Sequence, residues 1–253
     1  LSLKNKALGL KIDIVKAVAL SGYEGKFRDS LKSVLKYMEK DPNIDSIKKG
    51  AYLLATAKIE ADYSLQRWEA DYTCKLQGLP YQDKPCETAL NYYRSTDGKK
   101  NYYTLGTDSR GLPYFGRGLI QLTGKANYET YGKLIGLDLV KNPELALQPD
   151  TSYNIATTYM ANRTYGGKNT FQWVELGNLT NARKTINASS KDLDKIQKSY
   201  DLWLNILGQT AKVVSSTTDG TKKKIISIGA VILSVMVTVS VYVLVTNFKA
   251  FKK

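Results

Sequence analysis

A run of 21 uncharged residues, IISIGAVILSVMVTVSVYVLV at positions 225–245, constrains this chain more than any other feature. At 1.5 Å per residue a helix of that length spans roughly 30 Å, the hydrocarbon thickness of a bilayer. Few soluble helices are apolar on all faces for so long. A transmembrane helix over 225–247 is therefore expected, with the lipid bilayer as a partner of residues 225–245. Valine and isoleucine dominate the run, which lipid tolerates because satisfied backbone hydrogen bonds outweigh weak helix propensity. Lys222, Lys223 and Lys224 flank one end and Lys249, Lys252 and Lys253 the other, so the positive-inside rule gives no orientation. Residues 211–224, including SSTTDGT at 215–221, read as a linker with a basic flank, and 248–253 as a basic tail.

The body upstream is patterned as helices. In FRDSLKSVLKYMEKD, residues 27–41, Leu31, Val34, Leu35 and Met38 recur at helical spacing. Pro42 and Asn43 end that helix, and Asp45-Ser46 can cap the next, at roughly 47–62. Residues 72–113 carry Gly, Pro, Asn, Asp and Tyr without sustained periodicity, and read as long loops with a small hairpin. Helical patterns return near 123–136, 150–163, 179–187 and 191–207. The fold class expected is mainly α: a helical body over 27–210 with a small irregular or hairpin lobe, after an N-terminal extension over 1–26. Lysines and Asp13 interrupt any signal-peptide-like stretch in that extension.

The chain contains no histidine, which excludes Ser-His-Asp and Cys-His mechanisms and histidine-ligated metals. No metal or cofactor is expected. Catalysis must rest on carboxylates, hydroxyls, amides, lysines or tyrosines. Cys74 and Cys86 cannot make a four-ligand zinc site; a disulfide and two free thiols both fit the sequence. The net charge is +14, of which +6 lies in residues 222–253. Such a basic chain favours anionic surfaces, and since no nucleic-acid motif accompanies the charge, nucleic acid is not expected as a partner.

Two features carry chemistry. In KIEADYSLQRWEADY, residues 58–72, Glu60 and Glu69 are nine positions apart. On one continuous helix they would be about 13 Å apart and on opposite faces. A common cleft requires the helix to stop near Asp62, Tyr63 and Ser64. In YFGRGLIQLTGKANY, residues 114–128, glycines surround Arg117, Gln121, Thr123 and Asn127, whose amides and hydroxyl suit neutral sugar hydrogen bonds.

The string from Tyr114 to Thr123, followed by Asn127-Tyr128, resembles the signature of family 19 glycoside hydrolases, the chitinases and related peptidoglycan-degrading endolysins. The resemblance continues through residues 38–60, 134–150 and 179–187, in order, over roughly 27–207. It implies a lysozyme-like, two-lobed helical hydrolase domain and an inverting mechanism resting on carboxylates. Glu60 matches the general acid, Glu69 the general base, and Thr123 a hydroxyl that helps hold the attacking water. Asn127 matches a substrate-contacting amide, Gln121 and Arg117 supporting positions of the motif, and Arg183 and Asn187 buttresses of the cleft. Tyr114, like these, is assigned to substrate binding. Most of the family has a histidine before the acid; this chain has Ile59.

Tail and motif together predict a membrane-anchored enzyme cleaving β-1,4 bonds of peptidoglycan, or a chitin-like glycan, in a bacteriophage setting. There it would sit in the host inner membrane or a virion membrane, with virion proteins as further partners. The alternative is a non-catalytic, glycan-binding membrane protein of a virion on a hydrolase-derived fold, which Ile59 favours.

Overall fold

The computed structural model of this chain describes residues 7–69, 74, 85–94, 101–187, 192–215 and 225–226. These form nine α-helices: α1 (Ile14–Ser21), α2 (Gly25–Met38), α3 (Ile47–Ala61), α4 (Glu87–Arg94), α5 (Lys125–Ile135), α6 (Pro149–Asn162), α7 (Thr170–Glu175), α8 (Leu179–Ile186) and α9 (Leu193–Thr210). Five short strands accompany them: β1 (Ala7–Ile12), β2 (Thr164–Tyr165), β3 (Lys168–Asn169), β4 (Ala211–Ser215) and β5 (Ile225–Ile226).

The axis of the main lobe is α3. Ser46 caps its start by accepting from the Lys49 amide, and residues 50–57 are buried on every face. A helix apolar all round belongs inside a core, and α3 lies between α9 and α7. Gly50 permits the close approach, since a Cβ there would stand 3.1 Å from Leu10 Cδ1 and 3.2 Å from Leu207 Cδ1. The amphipathic stripe predicted on α2 is buried as expected, at Leu31, Val34, Leu35 and Met38.

A second, smaller core gathers Trp68, Cys74, Leu90, Tyr93, Leu112 and Phe115. The question left open for the cysteines is answered here: Cys74 and Cys86 form a disulfide, with Cα atoms 5.9 Å apart. Tyr93 stacks on Phe115 at 4.8 Å, joining this lobe to the glycine-rich segment.

Residues before 27 contribute to the main core from β1 onward, with Leu10, Ile12, Ala17 and Val18 buried. β1 pairs antiparallel with β4, matching Ala7 to Ser215 and Ile12 to Ala211. β4 in turn pairs with β5, Val214 opposite Ile225 and Val213 opposite Ile226.

That last pairing corrects the expectation of a transmembrane helix. The first two residues of the apolar run are extended and bonded into a sheet, not helical. Among the described residues no helix is long and apolar enough to cross a membrane, and residues 227–253 lie outside them. The single-pass membrane anchor, the membrane localisation and the bilayer partner of 225–245 are withdrawn with it. The physical reason is that length and apolarity do not specify a helix. Valine and isoleucine are enriched in strands, and β4 offers an unpaired edge whose backbone groups take up Ile225 and Ile226.

Candidate active site

Glu60 occupies the last turn of α3, and the chain turns back directly after it. Asp62 takes left-handed backbone (φ 48°), and its amide donates to the Ala57 and Lys58 carbonyls. Aspartate tolerates this conformation; Tyr63, with φ 63°, is a bulky residue that seldom adopts it. Such strain costs about 1–3 kcal/mol and persists only where surroundings enforce it. Here Tyr63 is fully buried, and the Trp203 indole donates to its hydroxyl at 2.9 Å. The break that a shared cleft requires is therefore present.

Beyond the turn, residues 67–69 run alongside the glycine-rich segment. The Gly118 amide donates to the Arg67 carbonyl at 2.6 Å, and the Glu69 amide to the Gly116 carbonyl at 2.7 Å. The segment folds on itself through reciprocal Arg117–Leu122 backbone bonds. Gly118 has positive φ and packs so closely that a Cβ would stand 2.7 Å from the Ala146 carbonyl. Gln121 also has positive φ (52°), and its amide nitrogen donates to the Arg67 and Gly118 carbonyls. The amide oxygen is thereby aimed the other way.

Three side chains converge on Gly116. A Cβ at that position would meet Glu69 Oε2 at 2.8 Å, Gln121 Oε1 at 3.0 Å and Thr123 Oγ1 at 3.2 Å. The Thr123 hydroxyl donates to the Gln121 carbonyl at 2.9 Å, and the Asn127 amide to the Thr123 carbonyl at 2.7 Å. Tyr102 stands close to the Glu69 carboxylate. Burial, with the nearby Glu69 charge, raises its hydroxyl well above the ordinary tyrosine value. On the other side Arg183 of α8, 2% exposed, donates to Glu60 Oε1 at 2.5 Å.

Glu60, Tyr102, Gln121, Thr123, Asn127 and Asn187 line one cleft of 880 Å³. Glu69 meets that wall through Gln121, Thr123 and Tyr102. Arg183 reaches the cleft only through Glu60. Two candidates are not brought to it. Arg117 is 1% exposed and donates to the Phe115 carbonyl, the Tyr128 hydroxyl and Glu144. Tyr114 is equally buried and donates to the Val140 carbonyl at 2.8 Å. Ile59 packs against the main core. Among the described residues no group of three or more carboxylates or thiols is placed to hold a metal. The proximity of Tyr102 to Glu69 was not legible in the sequence, because Tyr102 is one tyrosine among eighteen, in a segment without periodicity.

The convergence makes Gly116 a sensitive position. In a Gly116→Ala variant the new methyl must displace Glu69, Gln121 or Thr123, each near 3 Å from it. Displacing a reacting group by about 1 Å can cost on the order of 100-fold in rate. Hydrolysis should fall by about that much while the thermal midpoint moves little. An unchanged rate would show that the three atoms do not act together.

Residues 81–190 match the family model described as Chitinase class I, of glycoside hydrolase family 19. The chain is 42% identical over 65 residues to an endochitinase of Avena sativa, covering 26% of this chain and 30% of that protein. It is 64% identical over 33 residues to Chitinase 8 of Oryza sativa subsp. japonica, 13% of each. These alignments thus span less than a third of either relative's length. The fold is similar to that of chitinase C from Streptomyces griseus, with a TM-score of 0.51 and 18% identity, over 78% of this chain and 92% of that structure.

Proposed function

We propose that this chain, which matches the glycoside hydrolase family 19 model over residues 81–190, hydrolyses β-1,4 bonds between N-acetylated sugars by an inverting acid/base mechanism, and that its substrate is peptidoglycan. The observation that carries the reading is the shared cleft. The break after Glu60 returns the chain so that Glu69, Gln121 and Thr123 meet at the wall of the cleft that Glu60 lines.

In this reaction Glu60 gives its proton to the departing glycosidic oxygen, and Arg183 fixes the direction of its carboxyl group. Glu69 takes a proton from a water molecule that Thr123 and Gln121 hold, and that water attacks the anomeric carbon from the opposite face. Tyr102 orients Glu69. Asn127 and Asn187 offer amides to the sugar. Arg117 and Tyr114 act beneath the cleft wall, holding the segment that presents Gln121 and Thr123. The basic balance of the chain favours an anionic wall polymer over uncharged chitin. A bacteriophage setting has the resemblance alone behind it, since the membrane span that accompanied it is withdrawn.

The test is to incubate the chain with purified peptidoglycan sacculi and with chitin oligomers, following new reducing ends and their anomeric form by NMR. The reading expects initial α-anomers from β-linked substrate. Products that begin as β-anomers would reject inversion. No release from any glycan would favour the alternative that Ile59 raised, a glycan-binding protein without catalysis.

A further inference from the structure

Beside the cleft stands the hairpin β2–β3, which carries none of the groups assigned to bond cleavage. Its turn is Gly166-Gly167, both with positive φ (57° and 77°), the geometry of a two-residue type I′ connection. The Trp173 indole of α7 donates to the Tyr165 carbonyl at 2.8 Å and pins the hairpin. A Cβ at Gly166 would stand 3.3 Å from the Trp173 ring, so the two elements are in contact.

Three cations stand over aromatic rings here. Arg163, which lines the cleft, lies 5.2 Å from the Tyr159 ring centroid. Lys184 of α8 lies 5.2 Å from the Tyr165 ring, and Lys168 lies 5.0 Å from Trp173. Tyr165 is 43% exposed. Among the described residues none of these three cations is ion-paired, whereas Lys49, Lys58, Lys133 and Lys195 each hold a carboxylate. The one acid between 163 and 187, Glu175, faces away: its carboxylate bonds Ser46, and its carbonyl takes Lys48. Within the cleft, Glu60 is held by Arg183 and Glu129 by Lys133.

Cations without an ion-pair partner around the exposed Tyr165 ring and the half-buried Trp173 ring suit a polymer that offers carboxylates and apolar sugar faces together. Chitin has no carboxylates; the peptide stems of peptidoglycan do. We propose that Lys168 and Lys184, set over Trp173 and Tyr165, together with Arg163 at the cleft edge, bind the carboxylates of peptide stems on a glycan strand whose sugars occupy the cleft. The inference rests on the proposed glycan substrate and deepens it, making the hairpin the element that tells peptidoglycan from chitin.

The test uses the full chain with Glu60→Gln, so that substrate is held uncut, with and without Lys168→Gln and Lys184→Gln together. Binding is measured in low salt to sacculi treated with hydrofluoric acid, which removes phosphate-linked polymers, to the same sacculi after an amidase has removed the stems, and to chitin. Loss of two exposed ion pairs should weaken binding to stem-bearing sacculi by about three- to tenfold. Binding to stripped glycan and chitin should change less than about twofold by the same reasoning. Equal binding of the two chains to stem-bearing sacculi overturns the proposal, as does an equal loss on all three ligands or a parent that binds no sacculi. The hydrolase reading is separated by a second measurement on chains that keep Glu60. Stem-dependent binding without reducing-end release rejects the enzyme and upholds the surface; release with hairpin-independent binding does the reverse.

Discussion

Replacing Glu60 by Gln is expected to lower glycan hydrolysis by about 10²–10⁴-fold, the range that a positioned proton donor contributes. Glutamine keeps the shape of glutamate and a carbonyl oxygen for Arg183, whose donor stands 2.5 Å from the present carboxylate. It cannot supply the proton that the leaving oxygen needs. The variant should therefore fold normally and retain glycan binding, while kcat collapses. Glu69→Gln should behave alike for a different reason, since an amide cannot take the proton from water. Steady-state rates alongside a binding isotherm check both. A Glu60→Gln variant within about tenfold of the parent rate would remove Glu60 from the proton-donor role.

The largest expected loss of stability belongs to Arg117. Its side chain is fully buried and reaches three acceptors: the Phe115 carbonyl, the Tyr128 hydroxyl and Glu144. Removing one member of a buried pair leaves the other uncompensated, at about 3–5 kcal/mol. Glu144 is one-third exposed and keeps Arg110 at 2.7 Å, which argues for the lower end. Arg117→Ala should thus lose about 3 kcal/mol, read as a fall of about 6–12 °C in thermal midpoint for a domain of this size. Arg117→Lys should recover only part of the loss, because an ammonium cannot reproduce the planar fork. A midpoint within about 2 °C of the parent would show that Arg117 does not anchor the segment.

Arg117 also shows where sequence reasoning stops. The motif marks it, and a cationic residue between two glycines reads naturally as a ligand contact. Its burial depends on Glu144, 27 positions away, and on Tyr128, and no local pattern signals that pairing. Tyr114 is hidden in the same manner by the Val140 carbonyl. The end of α3 was legible because Asp62, Tyr63 and Ser64 interrupt an alanine-rich run at the point where a cleft needs a break. The helices of the main lobe were legible from apolar spacing, α2 above all. The cysteine pairing was not, since spacing alone leaves bridge and free thiols equal. The apolar run misled because helix was assumed for residues whose branched side chains suit an extended chain equally well. Tyr102 needed the folded structure, which carries it to Glu69 across 33 positions.

The strand pair β1–β4 has a mechanical consequence. Because Ala7 lies opposite Ser215, β1 begins and β4 ends at the same end of this pair. A tensile load between those two points would not shear the ladder as a whole. It would open the pairs in sequence, like a zipper, from Ala7 and Ser215 toward Ile12 and Ala211. The hinge of that opening is Asp13, whose amide holds the Thr210 carbonyl at the end of α9. Resistance to pulling thus falls on one pair at a time, ending at the Asp13–Thr210 bond, rather than being shared along the ladder. The cleft lined by Glu60, Thr123 and Asn127 lies outside the loaded path until that bond gives way.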